Sequence, residues 1–564
     1  MFRDEFEAEI DHLYQLCEEL GRAQPELAPI LGRNADPSVA RLVEGLAFSF
    51  GRLRQRLDDD LPESIHPVVE NLCPELLRPV PAHTVMALVP SASKLLSRTV
   101  VPAGSAFTSG PIDGVACTFQ STADVEVVPW SIARIDATGS TVRIELELFP
   151  GVDLAAVVPP VLRLFLAHPV TAALEARNLF LRHATGIVVR SPQTDGTVKL
   201  GRPRAAIPAR EGESPIARAF LDLRDYFVFA QGYTFIEMAD FDRVLELGGK
   251  PTRLSVEITL DVPVPKGIVL DPTTVLLHAV PARNIFRIAD LRIPLAANNE
   301  RCAVRPGIDG AQVYAIGEVA LVNQGLQKVR VEPWARFFGI RSGEAGDVRY
   351  EVQRVPSVVG SSVDVSLSFS SGPGGRREEQ IAAEISLLAT NGERASGVGL
   401  GDVSVPTAAS PTVVAFRNVT PVTRTIAPPL DGDYLWQFYR LLKASLASLG
   451  ETLAEVIALA NLPARARWPG AKPDATSFVP LLAVERERAR STLRDEVRAG
   501  ALVRLTLDAA RFDGPGDIGL FGELVVALFA ATLQPRHWLE LTLVDAAGAT
   551  LAAYPRTAGT RLGL

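Results

Sequence analysis

The hydrophobic period of this chain changes from helical to alternating near residue 82, and that change limits its fold more than any other feature. Before it, apolar side chains recur every three or four residues. Phe2, Phe6, Ile10, Leu13, Cys17 and Leu20 run down one face, with Glu7, Glu9, Asp11, Glu18 and Glu19 elsewhere on the wheel, which predicts an amphipathic helix. Asp36-Pro37 supplies a capping acceptor and a residue suited to the first helical position. A second helix is expected to start there, with the stripe Val39, Leu42, Val43, Leu46, Phe50, Leu53 and Leu57, and to end near Asp58-Asp59-Asp60 before Pro62. Ile65, Val68, Val69, Leu72 and Leu76 predict a third, less regular helix, stopped by Pro79 and Pro81.

Beyond residue 82 the pattern alternates. Val142, Ile144, Leu146 and Leu148 are interleaved with Arg143, Glu145 and Glu147, and Leu254, Val256, Ile258 and Leu260 with Ser255, Glu257 and Thr259. Both runs predict half-buried antiparallel strands. Val363, Val365, Leu367 and Phe369 repeat the pattern ahead of SSGPGGRREEQ, which reads as a loop. Helical islands are expected near Val170 to Ala184 and Ile216 to Tyr226, and a buried helix from Asp433 to Leu449, with another started by Leu453, Val456 and Ile457. A strand at Leu502 to Leu507, a helix near Leu520 to Leu533 and a hairpin from Trp538 to Tyr554 close the chain in βαββ order. The aromatic group Tyr226, Phe227, Phe229, Tyr233 and Phe235 reads either as two core strands around a turn at Gly232 or as a docking edge.

At 564 residues the chain exceeds what one core can fill, since single cores stop growing at about 250–300 residues. The expected fold is α+β: an N-terminal helical segment over 1–81, β-rich central domains of mainly antiparallel sheet over 82–270, with helical insertions, and 271–430, and a small C-terminal α/β domain over 431–564.

Charge excludes several functions. The net charge of −8 lies wholly in residues 1–80, which hold 16 acidic and 8 basic side chains, while the rest is balanced. No basic field is available to displace counterions from nucleic acid. Of 57 basic residues 50 are arginine, a bias that fits either a genome rich in G and C or arginine-rich interfaces. The N-terminus is acidic where a signal peptide is basic, and the longest apolar run, Leu524 to Leu533, is about half of the roughly 20 residues a membrane span needs. A soluble, cytoplasmic chain is expected. Cys17, Cys73, Cys117 and Cys302 form no CxxC pair and are expected to be buried free thiols.

Motifs that carry chemistry are missing. There is no phosphate loop, GxSxG elbow or HExxH helix, and GVGLGD at Gly397 to Asp402 lacks the third glycine of a dinucleotide fingerprint and reads as a turn. His12, His66, His83, His168, His183, His278 and His537 never fall at metal-ligand spacing. No catalytic residue, cofactor site or metal site is therefore assigned. Asp58-Asp59-Asp60, unfavourable with the helix dipole, reads as a solvated exit or as an anchor for a partner's arginine. A β-rich carbohydrate-active hydrolase built on dispersed carboxylates remains an alternative, and it would need two of them about 5–9.5 Å apart in a cleft.

Several blocks in one order carry a resemblance. ADPSVARLVEGLAFSFGRLRQRLDDDLPE from Ala35 to Glu63 and LCPELLRPVP from Leu72 to Pro81 are the most specific. VPAGSAF from Val101, LDLRDYFVF from Leu221, PARNIFRIADLRIPL from Pro281, VYAIGEV from Val313, VTPVTRTIAPPLDGDYLWQFYRLLKASLASL from Val419 and YPRTAGTRLGL from Tyr554 follow. Together they resemble the TssF family (ImpG, VasA), the baseplate wedge subunits of type VI secretion systems. Ala230-Gln231-Gly232, Ala389-Thr390-Asn391-Gly392 and LQPRHWLEL from Leu533 depart from the family pattern. The resemblance implies a structural, non-enzymatic role at the inner membrane. Two copies, with TssF–TssF contacts, pair with one TssG and form a wedge with TssE and TssK. Such wedges surround the VgrG spike, carry tail-tube and sheath assembly, and dock on the membrane complex without inserting into the membrane. An equivalent subunit of a phage-tail-like or extracellular contractile injector shares these expectations. The stripes make Phe2, Phe6, Leu13, Val39, Leu42, Leu46, Phe50, Leu53 and Leu57 the candidate partner interface.

Overall fold

The computed structural model describes residues 10, 13, 41, 43–49, 65–206, 214–295, 301–323, 325–333, 348–357, 362–371, 380–412, 414–430, 432–443, 453–461, 481–493 and 496–561. It is α+β, and its sheets are mainly antiparallel, as the alternating stretches require. Among the described residues two strand pairs are parallel: a short one at Glu332–Pro333 with Arg349–Tyr350, and Gly500–Thr506 with Trp538–Val544.

A five-stranded sheet sits at the centre. Its order is Val414–Asn418, His83–Pro90, Ala279–Arg283, Val115–Ser121 and Ala106–Ile112, so it gathers strands from distant parts of the chain. A second five-stranded sheet holds the two runs read from alternation. Thr141–Leu148 pairs with Arg253–Leu260, placing Leu146 opposite Leu254, Ile144 opposite Val256 and Val142 opposite Ile258. These side chains are buried, and the interleaved Arg143 and Glu257 form an outer ion pair of 3.2 Å. The inner face packs on helix α1 (Val170–His183) and on strands Val161–Leu166 and Phe235–Ala239.

Residues 286–390 supply all seven strands of a further sheet with its own core. This part of the chain leaves and rejoins the central sheet through one buried polar network. The Asn284 amide donates to Thr118 O and Asn391 Oδ1, both at 2.8 Å, and its Oδ1 accepts from Thr390 Oγ1 at 2.8 Å and Asn391 N–H at 2.7 Å. Asn391 Oδ1 also takes the Thr118 N–H at 3.2 Å. Buried polar groups satisfied in this way fix one arrangement, because any broken link leaves a dry, unpaired group.

The largest core joins both ends of the chain. Ile65, Val69, Cys73, Leu76 and Leu77 meet helix α2 (Pro215–Phe229), helix α3 (Gly432–Leu442), helix α4 (Pro515–Ala530) and the four-stranded C-terminal sheet. That sheet has the expected strand, helix, hairpin order, preceded by one more strand, Leu481–Leu493. Helix α4 carries Gly516, Gly519 and Gly522 on one side. A Cβ on Gly516 would overlap the Leu174 carbonyl of α1, one on Gly519 would stand 3.1 Å from Asn178 Oδ1, and one on Gly522 would overlap the Tyr554 hydroxyl. Bare backbone at these places lets α1 and Tyr554 lie directly on α4. Tyr554 then donates to Gly519 O at 2.6 Å, and Arg177 of α1 forms a two-pronged pair with Glu523 of α4 at 2.5 and 3.2 Å.

The aromatic group belongs to the core. Tyr226, Phe229, Tyr233 and Phe235 are buried and Phe227 is half-buried, so this is not a docking edge. The reading of Phe227 and Phe229 as a strand is corrected: both end α2, whose stripe Ile216, Phe220, Leu223 and Tyr226 continues in steps of three and four. The period-two spacing of the aromatics is overridden by that longer helical register. The loop read at SSGPGGRREEQ falls mostly outside the described residues, since Ser370 and Ser371 still pair in a strand and 372–379 are not described.

Candidate partner interface

Of the candidate interface residues, Phe2, Phe6, Val39, Leu42, Phe50, Leu53 and Leu57 lie outside the described residues, as does Asp58-Asp59-Asp60. Leu13 is helical and half-buried. Residues 43–49 are helical, with Val43 and Ala47 buried and Leu46 43% exposed. At 100° per residue Val43 and Ala47 share one side of the helix and Leu46 sits on its flank. The helix is thus held by one side and offers part of its apolar stripe to solvent.

The next stretch anchors the N-terminal segment. Residues 65–72 are helical, as the third stripe predicts, and run into a tight turn at Pro74–Leu77. Ile65 and Val69 point into the largest core, while Leu72 is 43% exposed. Glu75 lies 3.8 Å from Arg224 and 3.9 Å from Arg283. Arg78 and Arg283 both stand over the Tyr314 ring, at 5.5 and 5.9 Å from its centroid. Such cation–π contacts draw the segment onto the seven-stranded sheet.

Between this stretch and the seven-stranded sheet runs a groove of about 810 Å³. Glu70 crosses it to Arg354 at 2.7 Å, a pair in which the arginine is only 6% exposed. Of the four glutamates lining the groove, Glu318 and Glu332 share Arg330, at 3.2 and 3.6 Å. Three of the four groove glutamates thus have arginine partners.

The remaining polar candidates are dispersed. Among the described residues no group of three or more His, Cys, Asp or Glu is placed to hold a metal ion. His183 pairs with Asp261 at 2.8 Å, and His278 is buried, its Nε2 accepting the Val128 N–H at 3.2 Å. Complete burial pushes the His278 pKa down to about 3, so its ring is neutral. Cys73, Cys117 and Cys302 are buried, and burial raises the Cys117 pKa. Gly397 to Asp402 is a turn, in which Asp402 accepts the Gly399 N–H at 3.0 Å. No helix among the described residues is long and apolar enough to cross a membrane.

The family model for type VI secretion system TssF matches residues 1–561. The type VI secretion system component TssF1 of Pseudomonas aeruginosa is 25% identical over 274 residues, which is 43% of this chain and 44% of that protein, so the match spans less than half of the relative's length. A cryo-electron microscopy structure of the type VI secretion system TssK-TssF-TssG baseplate subcomplex contains a chain of similar fold, with TM-score 0.73, 24% identity, and coverage of 93% of this chain and 99% of that one. A chain of the baseplate complex from the type VI secretion system matches with TM-score 0.58 and 20% identity over 100% of both chains. At these identities the structural likeness establishes the fold, and the family follows from the match along nearly all of the sequence. The chain belongs to the TssF family of type VI secretion systems.

Proposed function

We propose that the chain is a structural subunit of a type VI baseplate wedge, assembling with TssG through its N-terminal helices. With TssE and TssK it would surround the VgrG spike as the platform for tube and sheath assembly, with two copies per wedge. The observation that carries this reading is the family match over residues 1–561. The matched baseplate subcomplex contains TssK, TssF and TssG, which supports TssG and TssK as partners. Residues 1–81 are the partner-facing segment in this reading: the buried anchor at 65–77 fixes its base, and Leu46 remains exposed.

The baseplate forms on the cytoplasmic side and reaches the membrane complex by docking. The protein performs no turnover, and the ion-paired carboxylates of the groove are in keeping with that. Co-expression with the TssG homologue of the same genome is expected to give a stable complex of two chains per TssG by native mass measurement. Leu46→Asp combined with Phe50→Asp is expected to break it. A chain that stays monomeric beside that partner, or a doubly substituted chain that still binds, overturns the proposal.

A further inference from the structure

The joint between Asn284 and Asn391 contains a reactive pair of residues. Asn391-Gly392 is the sole Asn-Gly dipeptide in the sequence. Asparagine followed by glycine is the arrangement most prone to lose its side-chain amide as ammonia, because no Cβ shields the backbone nitrogen that attacks it. Packing requires the glycine on other grounds. Its φ is +61°, and a Cβ there would stand 2.8 Å from Gly310 O and 3.1 Å from Gln312 Nε2. Close approach of two backbones has thus placed a labile amide where residues 285–390 leave and rejoin the central sheet.

The folded arrangement blocks the reaction. Ring closure needs the Gly392 nitrogen to swing over the Asn391 side chain, yet ψ of Asn391 is 4°, which turns that nitrogen toward the residue's own backbone nitrogen. The Gly392 N–H donates to Thr390 Oγ1 at 3.3 Å and its carbonyl accepts from Thr425 Oγ1 at 2.8 Å, so the peptide plane is held from both sides. Asn391 is 1% exposed, which keeps out the water that the second step consumes. The Thr118 N–H and the Asn284 amide polarise the Asn391 carbonyl, but with no attacking atom in line that has no effect.

We propose that Asn391 is a deamidation site, silent while the asparagine joint is closed and reactive once residues 285–390 open away from it. In the open state the Gly392 nitrogen attacks Asn391 Cγ. A C–N bond forms, the Cγ–Nδ2 bond breaks, and ammonia leaves with the Gly392 proton. Water then adds to either carbonyl of the cyclic imide and leaves aspartate or isoaspartate at position 391. Neither product refits the joint. Both lose the donor to Ala116 O and set a negative charge against that carbonyl, and isoaspartate also lengthens the main chain where Gly392 meets Gly310. One opening is thereby made permanent, a property independent of the baseplate reading.

The test incubates the purified full-length chain in mildly alkaline buffer and follows position 391 by peptide mass mapping. Conversion is expected to be at least about a hundredfold slower in the folded chain than in the chain unfolded by urea. Asn284→Ala removes both Asn284 bonds to Asn391 and leaves the reacting residues intact, and it is expected to raise conversion about tenfold or more. The unaltered chain in sub-denaturing urea gives the same reading without a substitution: conversion should rise in step with hydrogen exchange of strand Gln380–Thr390. Converted chains should keep the faster exchange after the urea is removed. Equal rates in folded and unfolded chains, no conversion in the unfolded chain, conversion that stays flat while exchange rises, or converted chains that regain the original exchange overturn the proposal. The baseplate reading is judged separately, by TssG binding of the freshly purified chain.

Discussion

The Arg177–Glu523 pair should show a marked asymmetry between its two partners. Arg177 is 2% exposed and Glu523 22% exposed, so the two ions differ in what happens when the other is removed. Glu523→Leu leaves a guanidinium with no counterion and no route to water, and breaking a buried pair in that way costs about 3–5 kcal/mol. Arg177→Met leaves a carboxylate that still reaches solvent, which lowers the expected cost to about 1–3 kcal/mol, the range for one desolvated polar group. The double replacement removes both ions. It also removes the Arg177 Nε–H, which is buried without an acceptor among the described residues. Its cost should lie near zero, as for other buried pairs exchanged for apolar side chains. The single costs therefore fail to add by at least about 4 kcal/mol, several hundredfold in a local opening equilibrium. Hydrogen exchange of the α4 amides, Pro515–Ala530, reads that equilibrium directly in the intact chain. If Arg177→Met proves as costly as Glu523→Leu, or the double variant costs the sum of the two, the argument from unequal exposure is wrong.

Three further outcomes follow from the packing and the network. Gly516→Ala should destabilise the α1–α4 contact by about 1–3 kcal/mol, because the new Cβ meets backbone that cannot swing away, and the melting temperature should fall accordingly. Asn391→Ala orphans the Thr118 N–H and one Asn284 amide hydrogen, at about 1–3 kcal/mol for each unpaired group, and should speed exchange in strand Gln380–Thr390 more than in α4. His278 binds a proton in the unfolded chain below about pH 6.5 and in the folded one only below about pH 3, so stability should fall as pH drops through that window by about 1.4 kcal/mol per unit. His278→Asn, which tolerates the positive φ of 52° there, should flatten that part of a melting-temperature profile, and an unchanged slope would contradict the assignment.

Local pattern decided what could be read in advance. The runs Val142–Leu148 and Leu254–Leu260 are legible because each buries every second side chain, and a strand's period is fixed by backbone geometry alone. Their pairing with each other across more than a hundred residues is not, since register between distant strands depends on the whole sheet. The order of the terminal α/β unit was legible, but the start of α4 was not. Its glycines weaken the helical signal, and they are present because α1 and Tyr554 press on that side. Gly516, Gly519 and Gly522 at intervals of three were the available clue to a close helix contact. Asn284 and Asn391 gave no local signal: each is an ordinary polar residue until the fold brings them together. The candidate interface was legible only as apolar stripes, and the sequence did not separate the side chains that are buried within the chain, such as Val43, from those left exposed, such as Leu46.

The joint at Asn284 and Asn391 has a topological consequence. Since the two side chains bond directly to each other at 2.8 Å, the hundred or so residues between them begin and finish at one spot. That stretch is expected to behave as a cassette: parts of it that do not meet Glu70 or Arg78 should accept changes in length without altering the course of the polypeptide elsewhere, provided the asparagine clasp is kept. Relatives should therefore differ most in size between these two positions, and a subunit could be refitted for a new neighbour there while its remaining surfaces stay in place.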